Sequence, residues 1–408
     1  MSRQARTRQS RDSRTPYVVV SAKLKTSLGL GHPWVYRDAL ERAPVDLESG
    51  AWVRVKCANL QFFGLWDADS PIAIRIFSSR QRPNKTWVAA RVRQAWNLRA
   101  PLRDPDLQTS AYRWLYGESD GLPGIVVDLY GDVESGEQWA VLKTYAASVE
   151  RIKPWVVEAL QAVTPLTGVI ERGNEEGRGA QLLAGIMPSA PIMIQEHGLR
   201  FEVDVLRGQK TGFFLDQRQN RRTIEKWSQG KRVLNLFSYT GGFSVYAARG
   251  GAVHVTSVDS AREAMAAAER NFALNGFAPA QHEFIVADCF DVLERYHGEG
   301  RRFDLIIVDP PSFARSKEQV AAALGAYRRL NSLALKCLTQ NGLLASSSCS
   351  SQVSPAAFTQ MLARAAADAK RHLYILHDAG QPLDHPVPAH FPEGRYLKFV
   401  IAQVQAAP

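Results

Sequence analysis

Apolar and polar positions change their rhythm twice along the chain. From Tyr17 to about Arg80 short runs dominate: Ala51–Cys57 alternates, and Phe62–Trp66 and Ile72–Phe77 are bounded by Asn, Gly, Asp and Pro. A period of two places one face of a strand in a core, so a small β-rich unit is expected. Trp87–Leu98 then carries apolar residues at helical spacing. From about Arg99 to Leu206 the signals mix. A turn falls at Gly121–Gly124, strands at Ile125–Leu129, Val141–Thr144 and Thr167–Glu171, a helix at Ile152–Val163, and a polar loop at Glu171–Arg178. A second, α+β unit fits this pattern.

From about Arg207 the pattern becomes regular. Strands are expected at Val233–Phe237, Val253–Val258, Glu283–Ala287, Asp304–Val308, Leu343–Ser347, His372–His377 and Tyr396–Gln403. Helices are expected at Phe243–Ala248, Ala261–Asn275, Phe290–Tyr296, Lys317–Leu338 and Pro355–Ala369. Strands alternating with helices of this length make a mainly parallel, doubly wound α/β sheet. The expected domains are a basic disordered arm (1–16), a β-rich unit (17–98), a central α+β unit (99–206) and an α/β unit (207–408). No internal repeat is visible.

Composition narrows the partners. Hydrophobic residues are 45% and charged residues 22%, ordinary for a globular chain. No stretch approaches the roughly 18 apolar residues of a membrane span, and the N-terminus lacks the apolar core of a secretory signal. A cytoplasmic protein without a membrane partner is expected. The net charge of +10 favours polyanions through phosphate contacts. Arg3, Arg6, Arg8, Arg11 and Arg14 face the single acid Asp12 in the N-terminal arm. Cys57, Cys289, Cys337 and Cys349 form no C-x-x-C pair, which points to neither zinc nor a disulfide framework.

The segment V-L-N-L-F-S-Y-T-G-G-F-S-V-Y (Val233–Tyr246) reads as strand, Gly turn and helix. In an open α/β sheet the ligand crevice lies at the carboxyl ends of the strands. Gly241 and Gly242 would let the backbone approach a ligand, and free N–H groups of the helix would receive a carboxylate such as that of methionine. Asn235, Phe237, Ser238, Tyr239, Thr240 and Gly241 are the candidate cofactor residues of this turn. Asp259 follows Gly241 by 18 positions, the spacing of an acid that holds ribose hydroxyls. Asp288 and Asp309 end the next two strands, so three successive strands end in aspartate. The G-x-G-x-x-G signature is absent, which argues against NAD and a dehydrogenase.

Asp309-Pro310-Pro311-Ser312-Phe313 can continue neither a helix nor a central strand, so it projects into the crevice. Many methyltransferases place D-P-P or N-P-P here, holding a planar base beside the methyl group. Cys349, in Ser346–Ser350, follows the fifth strand. A cysteine there suits covalent catalysis: thiolate addition at C6 of a pyrimidine makes C5 nucleophilic. Cys57 on a strand, Cys337 on a helix face and Cys289 beside Asp288, which should face adenine, are read as packing residues.

With these motifs the chain resembles the bacterial large-subunit (23S) ribosomal RNA cytosine-C5 methyltransferases that carry an N-terminal PUA domain. The carriers are H-P-W-V-Y (His32–Tyr36), E-S-D-G-L-P-G (Glu118–Gly124), K-T-G-F-F-L-D-Q-R (Lys210–Arg218), L-N-L-F-S-Y-T-G-G-F (Leu234–Phe243), V-D-P-P-S-F (Val308–Phe313), S-C-S (Ser348–Ser350), D-H-P (Asp384–Pro386) and P-E-G-R-Y-L-K (Pro392–Lys398). The resemblance runs from about Leu24 to Val404. It implies a PUA-like RNA-binding domain, a central α+β domain and a class I (Rossmann-like) methyltransferase domain with an antiparallel last strand. It implies S-adenosylmethionine (SAM) as cofactor and large-subunit ribosomal RNA as partner, and family analogy allows a homodimer. It also implies that Phe213 and Phe214 pack near the cofactor and that Asp216, Gln217 and Arg218 shape the pocket. Arg218, Arg221 and Arg222 are either RNA contacts or a solvated helix face. Many related enzymes carry a second cysteine after the fourth-strand proline; here Pro311 is followed by Ser312. That leaves the base for the C5 proton open, with Asp309 named by position. Competing readings are an rRNA methyltransferase acting on a guanine nitrogen (N7 or N2), which needs no cysteine, and a non-catalytic RNA-binding or assembly protein.

Overall fold

The computed structural model describes residues 15–173, 179–314 and 316–406. The expected basic arm up to residue 14, and 174–178 of the polar loop, lie outside the described residues.

The first unit is a six-stranded sheet in the order Trp34–Tyr36, Ile72–Ser78, Leu60–Trp66, Trp52–Cys57, Tyr17–Val20, Leu40–Arg42. Val53, Val55 and Cys57 are fully buried, as their alternation requires. The helix Lys85–Leu98 starts at Asn84, whose side chain accepts the Trp87 N–H at 2.9 Å. Its Val88, Val92 and Ala95 enter a core shared with Trp52 of the first unit and Trp114 and Ile125 of the next.

The central sheet runs Gln181–Gly185, Gly168–Glu171, Gln138–Thr144, Ile125–Gly131, Ala111–Tyr116. Its one parallel pair, Gly168–Glu171 on Gln138–Thr144, is joined by the helix Lys153–Val163; parallel neighbours need such a crossover. Gln181–Gly185 escapes a pattern reading because it is an exposed edge strand with no buried face. A hairpin follows, Ile192–Glu196 and Leu199–Val203, turned by His197 and Gly198 at φ 47° and 83°. It lies on the third unit, where the Glu202 N–H donates to Asn271 Oδ1 at 2.9 Å.

The third unit begins with helix α1 (Arg218–Trp227) and holds a seven-stranded sheet. Its strands are β1 (Arg232–Leu236), β2 (His254–Asp259), β3 (Glu283–Val286), β4 (Phe303–Val308), β5 (Leu338–Ser348), β6 (Arg371–Ala379) and β7 (Lys398–Ala406). They lie in the order β3-β2-β1-β4-β5-β7-β6. Only β7 is antiparallel, inserted between β5 and β6. The helices are α2 (Gly242–Arg249), α3 (Arg262–Leu274), α4 (Cys289–Gly298), α5 (Val320–Lys336) and α6 (Pro355–Asp368). Val233 and Leu234 of β1 enter separate cores on the two faces, so both faces of the sheet are covered. Leu338, expected at the end of a helix, instead opens β5 and pairs with Phe303 of β4. Among the described residues no helix is long and apolar enough to cross a membrane.

Candidate active site

The turn from β1 to α2 holds three left-handed residues within five positions: Phe237 (φ 56°), Tyr239 (46°) and Gly241 (78°). A non-glycine residue in this region costs of order 1–3 kcal/mol and needs its surroundings to hold it. They do. The Phe237 N–H donates to Cys289 Sγ at 3.3 Å, the Tyr239 N–H to Asp259 Oδ2 at 2.9 Å, and the Ser238 N–H to the Val258 carbonyl at 3.0 Å. Neighbouring protein also constrains the two glycines. A Cβ on Gly241 would stand 2.9 Å from Ala268 Cβ of α3, and one on Gly242 would stand 3.1 Å from the Arg221 side chain. Neighbouring protein excludes larger residues there. Helix α2 has no side-chain cap. Thr240 Oγ1 and Asn235 Oδ1 are buried without a hydrogen-bond partner, although Asn235 Nδ2 donates to Ser244 Oγ at 2.9 Å. Buried polar atoms left unmet beside an uncapped helix start fit a polar ligand such as SAM.

The sheet order turns chain order into a row along one edge: Asp288, Asp259, the Ser238 turn, Asp309, Cys349. Asp259 is the last residue of β2. Asp288 does not end its strand: β3 stops at Val286, and the exposed Asp288 caps α4 by accepting the Phe290 and Asp291 N–H groups. Asp309 follows β4 and is half-buried.

The 210–218 segment closes the other side. Lys210, itself left-handed (φ 53°), donates to Asp216 Oδ2 at 2.8 Å and lies 4.4 Å over the Phe214 ring. Phe214 packs edge-on against Tyr239. Tyr396 also donates to Asp216 Oδ2, while Asp216 Oδ1 is buried and unpartnered. Burial opposes charge on Asp216, but Lys210, then His385, hold its carboxyl well below the usual range. Gln217 Nε2 bridges two strand ends, donating to Asp309 Oδ1 at 2.9 Å and Ser347 Oγ at 3.0 Å. Burial pushes Asp309 up to about 6, partly offset by its hydrogen bond with Ser347. Phe213 is buried in the core, its ring tilted 40° against Phe201 with centroids 5.1 Å apart.

Two arginines expected as RNA contacts or a solvated face are neither. Arg218 is fully buried against Asp384, and Arg221 is buried against Glu196 at 2.8 and 2.6 Å. Arg222 alone of the three is exposed. Charge inside a helix reads as solvated unless its partner, distant in sequence, is known.

Cys349 is half-exposed, whereas Cys57, Cys289 and Cys337 are buried. Burial pushes the Cys349 thiol up; Lys210 opposes this, Asp309 and Asp216 add to it, and Lys398 opposes it again. Burial drives Cys289 up to about 12 and Cys337 to about 11, which leaves both inert at neutral pH.

Residues 173–386 match the S-adenosylmethionine-dependent methyltransferase family, and residues 18–79 match a PUA-like domain. The ribosomal RNA large subunit methyltransferase I of Aeromonas salmonicida is 35% identical over 385 residues, covering 92% of this chain and 96% of that protein. The Klebsiella pneumoniae protein of the same name is 35% identical over 398 residues, covering 95% and 98%. The chain belongs to the ribosomal RNA large subunit methyltransferase I family. Its fold is that of a solved chain described as a methyltransferase complexed with SAH, with a TM-score of 0.84 and 27% identity over 95% of this chain and 100% of that one. A Streptococcus mutans chain described as SAM-dependent gives 0.84 at 26% identity. SAM is therefore the methyl donor of this methyltransferase, as the turn and the acids suggested.

Lys210, Tyr396, Ser347 and Lys398 lie in the motifs quoted above without an individual role there, and the fold brings all four to the same site. For Lys398 a signal was present: a lysine beside Leu397 and followed by Phe399, Val400 and Ile401. A charged residue inside an apolar strand is buried only with a purpose.

Proposed function

We propose that this member of the family methylates C5 of a cytosine in large-subunit ribosomal RNA, with Cys349 as nucleophile. The observation that carries the reading is the placement of Cys349: the half-exposed cysteine at the end of β5, beside Asp309 at the end of β4. The names of the relatives support ribosomal RNA as substrate. SAM, when bound, supplies an electrophilic methyl group on its sulfonium. The turn 237–241, Asp259 and Asp288 would hold it on one side of the crevice, and Phe214, Asp216 and Gln217 would close the other. The Cys349 thiolate adds to C6 of the cytosine, forming an S–C6 bond and placing electron density on C5, which would take the methyl group as its bond to the SAM sulfonium breaks and SAH leaves. Asp309 accepts the C5 proton, a task suited to a carboxylate with a pKa near 6. The S–C6 bond then breaks, its electron pair returning to sulfur. Residues 17–98 and 99–206 hold the RNA around the extruded base, which must leave its stack to reach the site.

The test uses 23S ribosomal RNA made with 5-fluorocytosine. A fluorine at C5 blocks proton removal, so the enzyme is expected to stay bound through denaturing electrophoresis, and Cys349→Ala to form no adduct and no 5-methylcytosine. Methylation by Cys349→Ala at undiminished rate overturns the reading and favours a guanine nitrogen.

A further inference from the structure

Lys398 opens β7 directly opposite Ser348 of β5, one residue before Cys349. Its side chain is only 3% exposed. Nζ donates to the Ser350 carbonyl and, at 2.8 Å, to the Tyr396 carbonyl. An ammonium has three N–H donors, so one remains beyond those two bonds. Among the described residues no carboxylate pairs with this buried cation. The ionisable neighbour that acts on it is Cys349. A buried charge with no counter-charge is expensive. Two carbonyls take two of its N–H groups but do not neutralise it.

From this arrangement we infer that Lys398 is the counter-ion of the Cys349 thiolate: a positioning residue that makes the nucleophile available. The inference rests on the reading of Cys349 as nucleophile. Four other titratable groups face the thiol. Lys210 favours thiolate but is already engaged by Asp216. Asp216 and Asp309 disfavour it. Tyr327 stays neutral, pushed up to about 12 chiefly by burial. Without Lys398, a thiolate would meet two carboxylates against one lysine. With it, the thiol gives its proton to water, and the thiolate that remains pairs with the Lys398 ammonium across the β5–β7 seam. Burial holds the lysine down at about 8, which leaves it charged at neutral pH.

The full-length protein tests this by iodoacetamide alkylation of Cys349 across pH, with peptides quantified by mass spectrometry. Lys398→Met is expected to slow alkylation at pH 7.5 by about 10-fold, the effect of a one-unit rise in thiol pKa. The rate of methyl transfer should fall at least as far, while SAH affinity stays within about 3-fold and serves as the folding control. Lys398→Arg, which keeps the charge, should recover most of both rates. An alkylation profile unchanged in Lys398→Met overturns the inference, whatever happens to turnover. Methylation surviving in Cys349→Ala overturns the nucleophile reading instead, so the two failures are distinct.

Discussion

Arg218 donates to both carboxylate oxygens of Asp384, at 3.1 Å and 2.5 Å, and neither side chain reaches solvent. Asp384 also accepts the Arg113 N–H at 2.9 Å, and its carbonyl accepts Arg99 Nη2 at 2.8 Å. One aspartate thus ties α1 of the methyltransferase unit to the edge of the central sheet.

Breaking such a pair leaves a buried charge alone. Asp384→Asn and Arg218→Met are each expected to cost about 3–5 kcal/mol, read as a lower urea midpoint at pH 7. Burial pushes the Asp384 carboxyl up, but Arg218 and then His385 outweigh it and hold it far below the usual range. A depressed folded pKa stabilises above the unfolded value, near 4, and that stability is lost as pH falls below it. The wild type should therefore lose stability below about pH 4 more steeply than Asp384→Asn, which has no such proton to bind.

Asp309 has the opposite sign. Its folded pKa, about 6, lies above the unfolded value, so its ionisation opposes folding as pH rises through 6. As the base of the reaction it must nonetheless be ionised. Single-turnover methyl transfer should show a rising limb with its midpoint near 6 from Asp309, followed at higher pH by the further rise that ionisation of Cys349 adds. Asp309→Asn should lose at least 100-fold in rate and the rising limb with it. Its melting temperature at pH 8 should be no lower than the wild type's. A variant that is slow and also unstable would mark Asp309 as structural.

Gly241 is constrained by conformation and by space. Alanine there would hold a left-handed φ of 78° and place its Cβ 2.9 Å from Ala268. Strain and overpacking together should cost about 2–4 kcal/mol. Because the turn and α3 must separate to relieve the clash, SAH affinity should fall with stability. Calorimetry and thermal unfolding of Gly241→Ala measure both. Ala268→Gly in the same chain should restore part of each.

The doubly wound sheet was legible because its strands are buried on both faces and read as continuous apolar runs, as in Asp304–Val308. The row of acids was legible because strand ends fall at fixed places in such a fold, and Asp259, Asp309 and Cys349 stand there. Asp288 was misplaced by the same reasoning: β3 is a short outer strand that stops at Val286, and Asp288 beyond it caps the next helix. The buried pairs of Arg218 with Asp384 and Arg221 with Glu196 were not legible. Each joins residues far apart in sequence, and helical spacing alone describes a charged residue as exposed. Lys398 fell between these cases, an odd residue in a strand whose partner only the register of β5 and β7 names.

The antiparallel β7 also sets an order of assembly. It comes last of the seven strands in the chain yet occupies an inner position, so β6 has no sheet neighbour until β7 arrives. Domains form from the N-terminal side as they are synthesised. A nascent chain that has released β6 but not β7 therefore carries an open slot beside β5, with Cys349 on its rim and no lysine across from it. Folding of this unit ends by filling a gap rather than by adding to an edge, and the same event that seals the sheet arms the thiol.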